Sequence, residues 1–332
     1  MAFFRPYLTA FAVLLGLFAA ATQAHAVSCV TQSQMTISER AEYIRAMRAL
    51  ETPIQAGNLN AVKAMTIAPV AAQFDGIAQS IQSLSPLIQQ AAFTVNSMYL
   101  LKAEDLKQAE EMTQFFCSFP QSPLTVTVTI PQLPPGVYLL ALLHATGVEH
   151  PQQVSMILQK DGAEWKLAGF FVRPMSLGNR EGVWYWVQAR EYAKKHQNWN
   201  AWFYYQTANF LLNPVDFFSS PNLEKLHREA QEVRPEELPT QSQPLKLTVN
   251  NQPLEITHLR TDDFNGNLDL VVTYQAKDIS DPAATRTQIV ALMKALLSAH
   301  PELRQAFHGL WVYATAENSP PYAIELPMEQ IQ

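Results

Sequence analysis

The first third of the chain carries apolar residues at the spacing of α-helices. From Ile37 to Ile54 they recur every three or four positions, and Thr36 with Glu39 forms a capping box at the start of this predicted helix. Val70–Gln90 is predicted as a further helix, and Glu104–Phe116 as a helix-like run. The chain is therefore expected to begin with a helical layer.

The next segments alternate apolar and polar residues with the period of a β-strand. Thr125–Ile130 alternates strictly, which predicts a half-buried strand, and Val137–Thr146 predicts a more uniformly apolar one. Val154–Lys160 and Trp165–Arg173 predict a hairpin about Asp161-Gly162, a dipeptide suited to positive φ in a tight turn. Helices followed by an antiparallel sheet make an α+β domain.

A second strand-rich region follows a polar segment without periodicity, residues 231–244, which predicts a linker. Beyond it the pattern predicts a βββαββ order, with strands at Leu245–Val249, Leu254–Thr261, Leu268–Gln275, Trp311–Thr315 and Tyr322–Leu326 and a helix at Thr285–Ser298. We therefore predict an α+β chain with domains at 27–177 and 245–332, and a helical hairpin at 178–230 between the first domain and the linker.

Residues 1–26 have the pattern of a cleavable signal peptide. Arg5 precedes the uncharged apolar run Leu8–Ala21, and Ala24 and Ala26 supply the small residues of a cleavage site. The alternative of an uncleaved anchor is disfavoured because a span needs about 20 apolar residues. We expect a secreted or periplasmic protein with no transmembrane span after cleavage. A lipid anchor on Cys29 is the minority alternative.

Composition and charge narrow the classes of partner. Without residues 1–26 the chain holds 22 basic and 29 acidic residues, with no basic stripe. Nucleic acid is therefore not an expected partner. Cys29 and Cys117 are the two cysteines of the chain, and in an oxidising compartment they predict one disulfide. The alternative, a catalytic Cys117, is disfavoured because its apolar neighbours would raise the thiol pKa.

Two resemblances add expectations about the fold. Helices followed by a meander that ends in Trp165–Phe170 (WKLAGF) resemble the SnoaL-like cone fold of the nuclear-transport-factor superfamily, over roughly residues 37–174. In that family a curved sheet wraps the helices and often leaves a pocket. Its catalytic members place an Asp/His or Asp/Arg pair inside the cone, and no such pair is matched here.

The aromatic-rich segment after it resembles a single tetratricopeptide repeat. The matching positions are Ala189, Tyr192, Ala201, Tyr205 and Ala208, while Pro214 falls one residue late for the closing proline. His196 stands where that motif has its turn glycine, and Gln188 where it has a leucine. The resemblance implies two antiparallel helices. Because a lone repeat cannot bury its own faces, we expect it to pack on the neighbouring domains.

Candidate chemistry is sparse. Asp263–Asp269 (DFNGNLD) resembles a calcium loop of integrin-type propeller repeats but has too few carboxylates, and Asn265-Gly266 predicts a hairpin turn. His144, Glu149 and His150 lack a ligand spacing for zinc. No nucleophile elbow, phosphate loop, dinucleotide fingerprint or HExxH helix is present. We therefore predict no catalytic, cofactor-binding or metal-binding residue.

The candidate binding surface consists of the tryptophans of the hairpin, Trp184, Trp186, Trp199 and Trp202, of which one or two are expected to stay partly exposed. We expect a non-enzymatic binding or scaffolding protein that acts through this hairpin and the groove between the domains, with another envelope or secreted protein as partner. The alternative is a small-molecule binder or hydrolase that uses the interior of the cone. A third hypothesis is an accessory of envelope assembly with neither pocket nor patch.

Overall fold

The computed structural model describes residues 27–240 and 242–332, and within them the chain is an α+β protein, as predicted. The predicted signal segment, residues 1–26, lies outside the described residues. Across the described ranges, no helix is both long enough and apolar enough to cross a membrane.

Eight α-helices lie in the part of the chain that the structure describes. They are α1 (Ile37–Gln55), α2 (Leu59–Ala64), α3 (Ala68–Ala71), α4 (Asp75–Ile88), α5 (Gly182–Lys194), α6 (Asn198–Leu212), α7 (Pro221–Glu232) and α8 (Pro282–Ala299). The predicted capping box begins α1, with Thr36 and Glu39 bonding each other's backbone amides. The predicted helix Val70–Gln90 is divided into α3 and α4.

Fifteen strands occupy the same described ranges. They are β1 (Ser28–Thr31), β2 (Ala92–Lys102), β3 (Met112–Ser118), β4 (Thr125–Pro131), β5 (Val137–Thr146), β6 (Gln152–Asp161), β7 (Glu164–Pro174), β8 (Ser176–Leu177), β9 (Arg180–Glu181), β10 (Phe218–Ser219), β11 (Leu245–Val249), β12 (Gln252–Phe264), β13 (Asn267–Gln275), β14 (Gly309–Thr315) and β15 (Tyr322–Pro327). The predicted order βββαββ of the C-terminal region is confirmed by β11–β13, α8, β14 and β15.

The prediction of a helix-like run over Glu104–Phe116 is wrong, because its end belongs to strand β3. Thr113, Phe115 and Cys117 are buried, and the residues between them are exposed, including Phe116. This is the two-residue period of a strand with one covered face. β3 pairs with β4, the predicted strand of strict alternation, and β4 pairs with the short β10.

The N-terminal region is built on a five-stranded antiparallel sheet in the order β1-β2-β5-β6-β7. One face packs against α1 and α4, through Met98 and Leu139 among others. The other face, with Leu101 and Leu140, packs against β3 and β4. Because both faces of β5 are covered, its sequence is apolar almost throughout, as the uniform run Val137–Thr146 indicated.

The predicted disulfide is present and joins the two layers of this region. Cys29 lies on the edge strand β1 and Cys117 on β3, with their Cα atoms 5.0 Å apart. Cys117 is fully buried in the core between the two sheets. The bond therefore links the beginning of the described chain, on the five-stranded sheet, to strand β3 of the smaller sheet.

Helices α5 and α6 are consecutive and pack against each other as a helical hairpin. His196, at the turn, adopts the positive φ of 57° that a glycine would otherwise supply. At the open end of the hairpin, Gly182 approaches α6 so closely that an added Cβ would lie 2.6 Å from Leu212. The buried face of the hairpin packs on the C-terminal sheet, with which it shares one hydrophobic core.

The C-terminal sheet has the order β11-β12-β13-β14-β15. Its hairpins turn at Asn250-Asn251 and at Asn265-Gly266, and all four of these residues have the positive φ typical of two-residue turns. The turn at Asn265-Gly266 confirms the sequence prediction. β13 and β14 run parallel, joined by the crossover helix α8. The tip of the β8–β9 turn rests on the Asn265-Gly266 turn, where the Gly178 amide donates to Asp263 at 2.6 Å.

Candidate functional site

The four tryptophans of the predicted binding surface do not form one surface. Trp199 is buried, with 3% of its area exposed. Its indole Nε1 donates to Glu237 at 2.8 Å, and its ring lies 3.9 Å from the imidazole of His300. The Trp199 hydrogen bond lowers the pKa of Glu237, and burial lowers the pKa of His300. Trp199 therefore fixes the linker and the end of α8 to the hairpin.

Trp184 and Trp186 are partly buried and lie on α5. Trp186 Nε1 donates to Glu229 of α7 at 2.7 Å, and Arg190 binds the same carboxylate with two bonds of 2.8 Å. Arg180 covers the Trp184 ring at 5.0 Å. Both indoles thus have intramolecular partners, and we assign them to the packing of the hairpin.

Trp202 is the tryptophan that lines a groove. The groove has a volume of about 600 Å³ and lies between α6, the segment after α7, and strand β12. Trp202 and Phe210 of α6 form one wall, and Arg234 and Leu238 form another.

The expectation that one or two of the tryptophan rings stay partly exposed underestimates the number, because Trp184, Trp186 and Trp202 all keep some exposure.

The third wall of the groove is the edge of a β-strand. Five consecutive residues of β12, His258–Asp262, line it. Successive side chains of a strand point to opposite faces, so a cavity that touches all five must run along the strand's backbone edge. Strand β11 pairs with β12 only as far as Ile256, and a bulge at Thr257 follows. Residues 258–264 therefore pair with β13 alone among the described residues.

The direction of the backbone groups on this edge follows from the Asn265-Gly266 turn. In a two-residue hairpin the flanking pair, here Phe264 and Asn267, is hydrogen-bonded, and bonded positions then alternate. The amides and carbonyls of Leu259 and Thr261 therefore point away from β13 and into the groove. Within the described chain, these four groups have no hydrogen-bond partner. The Asp263 amide, next along the edge, donates to the Asp262 side chain instead.

The charged side chains around the groove are mostly cationic. Arg234 lies over the Trp202 ring at 5.6 Å and forms no ion pair with any described residue. Arg260 is paired with Asp262, and His258 adds an imidazole. The groove thus combines an apolar wall, an uncompensated guanidinium and a free strand edge.

Comparison of the chain with protein-family models, with curated proteins and with solved structures gives no match. The function therefore has to be inferred from the groove itself.

The remaining residues considered from the sequence lie apart from the groove. His144 on β5 pairs with Thr94 on β2, and Glu149 and His150 lie in the turn before β6. Asp263 and Asp269 flank the Asn265-Gly266 turn, as the hairpin prediction required.

Sequence reasoning missed two features. One is the strand edge at Leu259 and Thr261, for which the unequal lengths of β11 and β12 were the available signal. The other is the group of described residues that could hold a metal ion, Asp269, His308 and Glu325. These three are widely separated in the chain, and no spacing motif connects them.

Proposed function

We propose that this protein is a non-enzymatic binding module, exported from the cytoplasm, that takes an extended segment of another envelope or secreted protein into its groove. The segment would add as a strand to the free edge of β12. The observation that carries this proposal is the row of unpartnered backbone groups at Leu259 and Thr261.

Strand addition satisfies these groups directly. Each of the two residues offers one amide and one carbonyl, so an antiparallel segment can form up to four backbone hydrogen bonds there. Such a segment would continue the line of β11, which stops at Leu245 opposite Ile256. An unpaired edge is normally covered or guarded in a folded protein. A partner strand gives this edge the cover that the described chain does not supply.

The side chains around the edge indicate which segments fit. Trp202, Phe210 and Leu238 offer apolar contact area, and Phe210 is 41% exposed. Arg234 offers a guanidinium to a carboxylate, since it lacks an acidic partner among the described residues. We therefore expect a segment that alternates apolar residues with at least one acidic residue.

The setting supports a partner outside the cytoplasm. The disulfide between Cys29 and Cys117 is typical of proteins from oxidising compartments. In this proposal the N-terminal region is SnoaL-like and the hairpin is tetratricopeptide-like. Helix α6 of the hairpin forms one wall of the groove.

The alternative of a small-molecule site inside the N-terminal region has less support. Buried side chains fill the space between α1, α4 and the five-stranded sheet, and Met47, Ile81 and Met98 have no exposed area. A cavity of about 390 Å³ lies where α4 meets β6 and β7, with serine and glutamine side chains in its wall beside Leu84 and Val172.

The test begins with a library of random short peptides selected on the full chain, followed by titration calorimetry of a selected peptide. Replacing Trp202 with alanine is expected to weaken binding roughly tenfold, a loss typical of an aromatic contact at an interface. Trp184→Ala is the matched control, because Trp184 does not line the groove.

Backbone methylation distinguishes strand addition from side-chain docking. N-methyl groups placed along the peptide should abolish binding at every second position, where an amide must face Leu259 or Thr261. Equal tolerance at all positions, or unchanged affinity for Trp202→Ala, would contradict the proposal.

A further inference from the structure

A second cluster of polar side chains lies on the face of the C-terminal sheet that points away from the hairpin. Asp269 of β13 and Glu325 of β15 point to this face, since their neighbours Leu268, Leu270 and Leu326 pack in the core on the other side. His308 precedes β14, which runs between the two strands. One ligand atom from each of the three side chains lies within 4.8 Å of the other two.

Asp269 is buried without enough hydrogen-bond partners. None of its area is exposed, and its Oδ1 lies 3.3 Å from Nδ1 of His308. Its Oδ2 is buried and has no partner among the described residues, and the same holds for Oε1 of Glu325. A buried carboxylate oxygen without a donor is costly unless a proton or a cation compensates it.

The backbone leaves room where these oxygens converge. Gly309 lies between the two acids, and a Cβ on it would lie 2.6 Å from Glu325 Oε1 and 3.2 Å from Asp269 Oδ1. Any other residue at this position would therefore fill the space between the carboxylates. The His308 backbone is fixed on both sides, because its amide donates to Leu268 and its carbonyl accepts from Met328.

The side chains around the two carboxylates are apolar or already paired, and this favours a bound cation. Trp311, whose ring meets Phe264 edge to face at 5.0 Å, lies directly across from Glu325 on the same face. Asp269 is fully buried, and one carboxylate oxygen of Asp269 lies within 4.8 Å of one of Glu325, so two acids share a poorly solvated space. Arg260, the guanidinium on this face, is already paired with Asp262.

We propose that Asp269, His308 and Glu325 bind one divalent first-row transition ion, with Zn²⁺ as the probe of choice. Imidazole nitrogen with two carboxylate oxygens is a donor set suited to Zn²⁺ and less to Ca²⁺, which takes oxygen ligands. Ligands on one zinc, at about 2.1 Å each, lie at most about 4.2 Å apart, so a small rotation of the His308 or Glu325 side chain closes the site. His308 keeps 43% of its side chain exposed, so the ion would have a path to solvent and a position open to water.

The test uses the full chain without a histidine tag, stripped with a chelator and titrated with Zn²⁺ by calorimetry. The expected result is one equivalent bound, with Co²⁺ competing and giving the visible absorption of a low-symmetry site. Asp269→Asn and His308→Gln should each weaken binding roughly tenfold or more, because even an outer partner of a ligand is worth that much. Glu317→Gln is the matched control, since Glu317 is an exposed acid between β14 and β15 and lies outside the cluster.

Two further results make the outcome decisive. His308→Gln is a change at an exposed side chain, so its circular dichroism should match the wild type even if Asp269→Asn fails to fold. Gly309→Ala should also remove binding, because its methyl group takes the space between the carboxylates. No stoichiometric binding, or equal affinity in the wild type and His308→Gln, would overturn the proposal. Detection of a proton shared by Asp269 and Glu325 in a chain that binds no Zn²⁺ would do the same.

Discussion

The Cys29–Cys117 disulfide closes a long loop, and its contribution to stability can be calculated from that length. The two cysteines are 88 positions apart, and the chain-entropy relation for a loop of this size gives about 4.6 kcal/mol at 25 °C. A typical domain is stable by only about 5–15 kcal/mol, so the loss of this bond should be large. The figure is an upper value, because residual structure in the unfolded chain reduces it.

The perturbation compares three proteins: the oxidised wild type, the reduced wild type and the double variant Cys29→Ala/Cys117→Ala. Urea unfolding followed by far-ultraviolet circular dichroism gives the free energy of each. Reduction breaks the disulfide but keeps both sulfur atoms. The difference between the oxidised and reduced proteins therefore measures the effect of closing the loop alone. The double variant also empties part of the core, because Cys117 is fully buried, and should be less stable still.

A difference between the oxidised and reduced wild type below about 1 kcal/mol would refute the loop calculation. It would mean that the short strand β1 holds its place on β2 through packing alone. If the double variant proved as stable as the reduced wild type, burial of the Cys117 sulfur would contribute nothing to the free energy of unfolding.

Substitutions at Trp199, at Glu237 and at two helix glycines test the packing and the charge interactions of the described chain. Trp199→Ala should cost about 3–5 kcal/mol in urea unfolding, because the ring is buried, whereas Trp202→Ala at the groove should change the midpoint little. The pKa of Glu237 is lowered in the folded protein. Its contribution to stability is therefore complete above the pKa of the unfolded state and is lost as the pH falls through the pKa of the folded state. Glu237→Gln should flatten the dependence of stability on pH below about pH 4.5. Gly182→Ala should destabilise through a clash with α6, while Gly76→Ala, with open space around it, should stabilise by up to about 1 kcal/mol; thermal unfolding of the pair separates packing from helix propensity.

Much of the fold could be predicted because local patterns agree with it. Thr125–Ile130 alternates and became a strand with one buried face, and Asn265-Gly266 became a two-residue turn. The error at Glu104–Phe116 arose from the adjacent Phe115 and Phe116. Two neighbouring aromatics hide a two-residue period, although one of them is buried and the other exposed.

The candidate site was harder to predict, because it depends on tertiary packing. Trp199 and Trp202 are three positions apart on α6, and helical spacing suggested that they share a face. The linker covers Trp199, while Trp202 stays at the groove. The cluster of Asp269 with Glu325 forms only because β14 pairs parallel to β13, which depends on the crossover through α8.

The single core shared by the hairpin and the C-terminal sheet has a consequence for how the molecule melts. Tyr204 of α6 donates to the carbonyl of Ala306 at 2.6 Å, and the two regions bury their apolar surfaces against each other. Residues 178–240 and 242–332 should therefore absorb heat in one calorimetric transition. A fragment cut at the linker would expose that surface and aggregate, so neither half is suited to separate expression. The groove, which lies at their junction, would be lost by such a cut.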